Sequence, residues 1–274
     1  MYDDLPKSTT AMQRARGLAR VGLAEQSGQT RLRTLRQEGS AKAFLPKVHA
    51  PVPEVVFLNT AGGLTGGDRL DLSLDLGPGA QVVATTQTAE RAYASAGGVG
   101  HMRATMTAGD GATLAWLPQE TILFDRAALH RETDIALTGS AQLVFAEMVV
   151  LGRQAMRETV KTLDFLDRRR ITRDGVPVMV EPLALTTRVL TRRDDSAVLG
   201  GATALATVAL IGPGAETAKT SVTPLIEQTG VRAGLSSWDG KCVLRGLSHE
   251  PRALKNMVAR VLAHWGYRPR VWNM

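Results

Sequence analysis

The residues of this sequence best suited to chemistry are carboxylates. Asp68, Glu90, Glu120, Asp125, Glu132 and Glu147 are the candidates for an acidic pair. Two of them held close together in a cleft would suit an all-β enzyme acting on carbohydrate or nucleotide. Scattered on solvated faces, they would do nothing catalytic. Glu120 stands out because it follows Trp116-Leu117-Pro118-Gln119 and precedes the apolar Ile122-Leu123-Phe124. The histidines His49, His101, His130, His249 and His264 are spread along the chain, with no His-x-x-x-His and no Cys-x-x-Cys. Spacing therefore supports no pre-formed tight zinc or nickel centre, and leaves open a weak, carboxylate-rich or transit site. There is no Gly-x-Ser-x-Gly elbow for a nucleophilic serine. Cys242 is the single cysteine, which excludes an internal disulfide framework and fits a small apolar residue in a reducing compartment.

The stretch from Val55 to Asp68 organises these candidates. An apolar run ends at Asn59, and Gly62, Gly63, Gly66, Gly67 and Asp68 then turn the chain. Glycines in this density serve positive φ or close backbone approach. Leu70, Leu72, Leu74 and Leu76 then alternate with Asp71, Ser73 and Asp75, a half-buried strand. The stretch reads as strand, glycine-built turn, strand, either a hairpin or a wider β–β turn. It is not a phosphate loop. Asp68-Arg69 stands where a Walker loop has Lys and Ser or Thr, and period two follows where a dinucleotide loop opens a helix.

Stepping along the chain, strands recur about every ten residues between Gly-rich turns. Residues 18–24 and 30–36 read as a hairpin, and residues 1–16 as a loose tail. Further strands are expected at 81–86, 90–95, 101–107, 112–117, 120–124 and 129–137. In the last, Leu129, Arg131, Thr133 and Ile135 alternate with His130, Glu132 and Asp134. Residues 141–151 are apolar around Glu147 and too β-branched for a helix. Asp174-Gly175 and Trp238-Asp239-Gly240 signal hairpins, and 215–229 reads as a helix bent near Pro224. At the end Leu254, Met257, Val258, Val261, Leu262 and Trp265 share one helical face, giving a helix over about 250–265 with Ser248 as N-cap. No internal repeat is convincing. The expected architecture is mainly β: two coiled antiparallel or mixed sheets in one β-rich domain over 17–274, with one or two helices near the C-terminal part.

The formal charge of +7 is uneven, with nine Lys/Arg against four Asp/Glu in residues 1–47. Such a segment steers toward an acidic partner. With only Tyr2 and Phe44 as aromatics in that segment, it does not read as nucleic-acid binding. No apolar run approaches the length that spans a bilayer. The start, Met1-Tyr2-Asp3-Asp4, shows no signal peptide, so a cytoplasmic location is expected.

Several stretches together resemble the urease accessory protein family UreD, also named UreH. They are Asn59-Thr-Ala-Gly-Gly63 with Gly66-Gly67-Asp68; Thr86 to Tyr93; Trp116 to Phe124; Gly152-Arg153; Arg173-Asp174-Gly175; and Pro269 to Trp272. Ala61 stands where the family usually carries Pro. The resemblance implies a non-enzymatic scaffold of two coiled β sheets with a helical pair. It also implies binding to the urease apoprotein and to UreF, with UreG joining through UreF, and nickel passing through an internal tunnel. A cation in transit wants carbonyls, waters and carboxylates that release it. On this view Asp68 and Glu120, followed by Glu90 and Glu147, are the expected tunnel residues, with transient nickel and no tightly bound cofactor. Trp265, Arg268, Arg270 and Trp272 are the expected UreF contact, having the aromatic and Arg character of interface centres. The rival implied reading is a pure assembly scaffold with no conduit.

Overall fold

Period-two burial runs through most of the chain and builds strands that pass alternately between two sheets. A computed structural model describes residues 13–46, 50–227 and 230–273. Residues 1–12 of the expected tail, His49, and the last two residues of the helix expected over 215–229 lie outside that description. The chain opens with the hairpin β1 (Arg16–Gln26) and β2 (Gln29–Gly39), then β3 (Ala41–Phe44) and β4 (Glu54–Asn59). There follow β5 (Arg69–Leu76), β6 (Gln81–Thr86), the short β7 (Glu90–Ala92), β8 (Gly100–Ala108) and β9 (Thr113–Trp116). The short β10 (Thr121–Leu123), β11 (Ala127–Leu137), β12 (Gln142–Leu151), β13 (Leu163–Arg173) and β14 (Val176–Thr186) complete the coil. The C-terminal part is α1 (Thr187–Leu190), β15 (Ala204–Ile211), α2 (Ala215–Glu227), β16 (Arg232–Trp238), β17 (Lys241–Ser248) and α3 (Pro251–His264).

One sheet has seven strands in the order β14-β13-β11-β8-β5-β1-β2, and the other has ten, running β16-β17-β15-β12-β9-β6-β4-β3 with β10 beside β12 and β7 beside β10. Within the coil, neighbours are parallel: β5 with β8, β8 with β11 and β11 with β13 on one side, β4 with β6, β6 with β9 and β9 with β12 on the other. Each circuit lays a new strand on each sheet, so strands adjacent in space are distant in sequence. Parallel strands need long crossovers, and here the crossover is the opposite sheet. The mainly β, mixed-sheet architecture expected from the sequence is therefore the one observed.

Three details differ from expectation. The glycine turn after Asn59 is no hairpin: β4 and β5 belong to different sheets, and the turn carries the chain across the gap between them. The first turn of α3 begins at Pro251, and its N-cap position is Glu250, not Ser248. Ser248 instead ends β17, and its Oγ accepts the Glu250 amide at 3.0 Å. The short α1 was not foreseen, because four residues carry no helical period.

The core fills the space between the sheets, with Trp116, Phe57, Phe145 and Phe165 among its largest buried side chains. A second apolar layer lies beyond the ten-stranded sheet, where Leu254, Met257, Val258, Val261 and Leu262 of α3 and Val222 and Ile226 of α2 pack. Strand β12 is covered on both faces, which is why nine of its ten residues are buried and why its sequence lacks alternation.

In the crossing turn, Gly66 sits where a Cβ would lie against Ser95 Oγ and 2.5 Å from the Gly98 carbonyl oxygen. Gly62 has φ of 76° in open space. Gly66→Ala is expected to cost about 3 kcal/mol through forced backbone displacement. Gly62→Ala is expected to cost only the left-handed penalty of about 1 kcal/mol. Urea denaturation of the two variants measures the difference, and equal losses would contradict the close-approach assignment.

Candidate functional site

Cross-strand register places polar residues inside the sandwich. On the seven-stranded sheet Arg131 stands beside Asp167, and Thr133, Arg169 and Glu181 share the next row across β11, β13 and β14. Each polar pair sits in phase with apolar neighbours, Leu129 and Ile135 on β11 and Phe165 and Ile171 on β13. From the opposite sheet Glu147 reaches into the same space. Arg131, Glu147, Asp167 and Arg169 are each at most 4% exposed, so their contacts must replace water.

They do so almost completely. Arg131 donates Nε to Asp167 Oδ1 at 2.9 Å and Nη2 to Asp167 Oδ2 at 2.7 Å, a bidentate pair, and Nη1 to Thr121 Oγ1 at 2.9 Å. Its Nη2 also lies 3.0 Å from Glu147 Oε2. Arg169 donates Nε to the same Glu147 oxygen at 2.8 Å and Nη1 to Thr207 Oγ1 at 3.2 Å. The other Glu147 oxygen accepts Thr133 Oγ1 at 2.8 Å and the Trp116 indole at 3.2 Å. Burial pushes the Glu147 carboxyl up, but the Arg131 and Arg169 charges and the hydrogen bonds from Arg169 and Thr133 outweigh it and hold the group at about 2. Burial opposes the charge of Arg131 as well, and Asp167 and Glu147 raise its pKa in spite of it.

This cluster separates small internal spaces from an open cleft. A space of about 20 Å³ is bordered by Asn59, Gly62, Thr86, Thr88 and Glu90. Another of about 10 Å³ is bordered by Glu90, Gln119, Thr121, Arg131, Thr133 and Glu147. Each is about the size of one water, and Glu90 borders both. On the far side of Arg169 a cleft of about 410 Å³ opens, with Glu181, Thr207, Arg232 and Arg245 above a floor that includes Leu205 and Leu247. Glu181 Oε1 accepts Thr207 Oγ1 and Arg245 Nε, each at 3.1 Å. Its Oε2 is buried and, among the described residues, has no hydrogen-bond partner. Polar side chains thus follow one another between the sheets: Asn59 and Glu90 at the small spaces, Glu147 with Arg131 and Arg169 between them and the cleft, and Glu181 at the cleft, 3.7 Å from Arg169 Nη1.

The expected site residues fall into separate places. Glu90 and Glu147 are among these side chains. The Glu90 carboxyl accepts Asn59 Nδ2 at 3.1 Å. Burial raises its pKa to about 7, against the lowering effect of the Asn59 hydrogen bond, the Arg91 amide and the Arg91 charge. Asp68 is buried at the crossing turn, where Oδ1 accepts the Ala15 amide at 2.8 Å and Oδ2 the Thr65 amide at 2.9 Å. Glu120 pairs with Lys255 Nζ at 2.9 Å. Neither borders the spaces described above. Lys255 also donates to Gln119 Oε1 at 2.7 Å, while Gln119 Nε2 donates to the Val271 carbonyl at 2.9 Å. The Trp272 indole donates to the Leu117 carbonyl at 3.1 Å and the Arg270 amide to Glu54 Oε1 at 3.1 Å. The Trp116–Phe124 segment therefore clasps the C-terminal turn. Trp272 and Trp265 are half-buried in that packing, and Arg268 and Arg270 are exposed.

Sequence reasoning missed Arg131, Asp167, Arg169 and Glu181. The signal was present, since Arg131 and Thr133 alternate in phase with Leu129 and Ile135. Arg169 was masked by its neighbours Arg168 and Arg170, which point outward. The coil also sets His101 against His130, rings 5.7 Å apart, a pairing that spacing in the chain could not reveal. Among the described residues no group of three or more His, Cys, Asp or Glu is placed to hold a metal ion, and no helix is long and apolar enough to cross a membrane.

Residues 15–273 match the family model described as UreD urease accessory protein. A protein of Cereibacter sphaeroides named urease accessory protein UreD is 54% identical over 264 residues, covering 96% of each chain. A protein of the same name from Dinoroseobacter shibae is 49% identical over 267 residues, covering 96% of this chain and 94% of its own. One from a Jannaschia species is 44% identical over 272 residues, covering 98% and 100%.

Two outcomes test the electrostatics. Glu147→Ala leaves Arg131 and Arg169 sharing Asp167, with Glu181 3.7 Å from Arg169 as the other carboxylate in reach, and is expected to cost about 3–5 kcal/mol in chemical denaturation. A loss below about 1 kcal/mol would mean the cluster is solvated. Glu90, with its folded pKa raised from the usual carboxylate range to about 7, binds its proton more tightly folded than unfolded. Its contribution is full at low pH and falls as pH rises toward and through 7, by roughly 2 kcal/mol. Stability curves from pH 5 to 8 are expected to slope down for the wild type relative to Glu90→Gln, and parallel curves would contradict the shift.

Proposed function

The chain belongs to the UreD family of urease accessory proteins, and from that membership we propose that it acts as a scaffold that binds urease apoprotein and UreF and supports nickel delivery past the polar side chains between its sheets. A general role in urease assembly follows from the family itself. UreG joins through UreF in this reading. The observation that supports the nickel step is that Glu90 borders two water-sized spaces between the sheets, one of them shared with Asn59 and the other with Glu147.

The two inner carboxylates differ in what they offer a cation. Glu147 is saturated by two arginines and holds its charge at all working pH. Glu90 titrates near neutrality, so it can give up a proton to take a divalent cation and recover the proton on release. That reversibility is what a transit site needs and a storage site does not. Asp68 and Glu120, placed on a backbone turn and an ion pair, lie outside these spaces. At the C-terminal turn, exposed Arg268 and Arg270 are the groups available to UreF, with Trp265 and Trp272 packed beneath.

The test is urease activation in cells with tagged protein, urease subunits, UreF and UreG. Glu90→Gln is expected to lower activation at least about tenfold while co-purification with urease and UreF persists. Unchanged activation in Glu90→Gln would favour the pure assembly scaffold. Failure of the wild type to co-purify with either partner would overturn the accessory reading.

A further inference from the structure

The terminal strands of the two sheets are β14 and β2 in one, β16 and β3 in the other. A free sheet edge invites another strand, and proteins blunt such edges with proline, with short strands or with a covering element. Strand β14 carries Pro177 and Pro182, which cannot donate to an added strand. Strand β16 is flanked by α2, and β3 has only four residues. Strand β2 has no proline, is not short and, among the described residues, has no covering element; what guards it is the register shift at Arg33 and the charge of Arg31, Arg33 and Arg36, which repels an unselected strand rather than an acidic one. It runs eleven residues without proline, ten of them exposed, and is paired on one side only, with β1.

Its side chains are not those of an idle edge. Leu32 stands opposite Leu23, and Leu35 opposite Val21, both core residues of β1. Directly opposed residues of antiparallel strands share a face, so Leu32 and Leu35 point to the inner side of the sheet. They are nevertheless 44% and 43% exposed. Gln37 Oε1 ties β2 to β3 by accepting the Ala43 amide at 2.8 Å. Arginine surrounds the strip. Arg31 and Arg36 belong to β2, and Arg33 falls at the register shift. Residues 13–46 together hold seven Lys/Arg against two Asp/Glu.

We propose that β2 is a docking edge for an extended acidic segment of the urease apoprotein, added as a strand whose apolar side chains cover Leu32 and Leu35 and whose carboxylates meet the arginines. This rests on the accessory reading above. Charge selects the occupant. A second copy of this chain would bring three arginines and one glutamate against the same set, and like charges opposed across strands repel. An acidic strand gains main-chain hydrogen bonds from the edge and charge-assisted contacts from its rim.

The experiment is co-purification of urease apoprotein and UreF on the tagged full chain. Wild type is compared with Arg31→Glu/Arg33→Glu/Arg36→Glu and with Leu32→Ser/Leu35→Ser. Each variant is expected to retain at least about tenfold less urease with UreF capture unchanged. Urease capture by the wild type is expected to weaken as salt rises from about 0.05 to about 0.5 M. Urease capture by the arginine variant equal to that of the wild type overturns the proposal, as does loss of UreF in place of urease. Salt-insensitive capture by the wild type overturns it without recourse to any variant. A wild type that retains neither protein overturns the accessory reading, and this edge with it.

Discussion

The pairing of Arg131 and Arg169 with Asp167 and Glu147 is the constraint on which the interior depends. Four ionised groups sit where the two sheets face each other, each nearly inaccessible to water. Moving such groups out of water costs several kcal/mol apiece, and the attraction between them offsets that only when the remaining donors and acceptors are also engaged. Here Thr121, Thr133, Thr207 and the Trp116 indole complete the set. The cluster is therefore weak as a source of net stability and strong as a specification. A slip of one residue in β11 or β13 would turn Arg131 or Asp167 to the outer face and leave its partner buried and unpaired. Apolar rungs such as Leu72 against Ala104 tolerate substitution of one aliphatic group for another, whereas this pairing tolerates only its own register.

The same cluster gives the interior two kinds of carboxylate. Glu147 is fixed in charge by its arginines, and a second cation there would have to compete with two that are already bound. Glu90 holds instead to the Asn59 side chain and the Arg91 backbone amide, and burial outweighs these and the Arg91 charge and brings its titration to about 7. Asn59 is itself held by the crossing turn: its Oδ1 accepts the Ala61 amide at 3.1 Å and its Nδ2 reaches the Gly63 carbonyl at 3.3 Å. The turn thus does two jobs. It carries the chain between sheets and presents a side-chain amide to the Glu90 carboxyl.

Much of this was legible in the sequence, and the remainder was not for physical reasons. The strands announced themselves by alternation, as in His101 to Thr107 and Leu129 to Leu137, and the C-terminal helix by its apolar face. Pairing was hidden. A hairpin such as Asp174-Gly175 writes its partner into the turn, but a parallel coil joins β5 to β8 and β8 to β11 across a whole circuit of chain, with no local mark. The site was hidden by the same fact. Arg131 and Asp167 meet only because β11 and β13 are neighbours, so the charged residues could be seen in an apolar phase but not matched. Among the expected carboxylates, Glu90 and Glu147 border the small internal spaces. Asp68 accepts two backbone amides at the crossing turn, and Glu120 pairs with Lys255.

The recognisable segments carry both kinds of duty: Asn59 and Glu90 border the internal spaces, while Trp116 to Phe124 mostly serves packing. Trp116 to Phe124 is distinctive because it meets several demands at once. Trp116 packs at 6.1 Å against Phe57 and donates to Glu147. Leu117 and Gln119 receive the C-terminal turn, and Glu120 anchors α3 through Lys255. A segment with so many simultaneous partners is restricted at nearly every position, and restriction is what makes a stretch of sequence identifiable. The exposed edge at β2 is under the opposite condition. The contacts of its arginines stay within the strand, Arg31 with Gln29 and Arg36 with Glu38, and Leu32 and Leu35 stay exposed, so the fold itself places few demands on these positions.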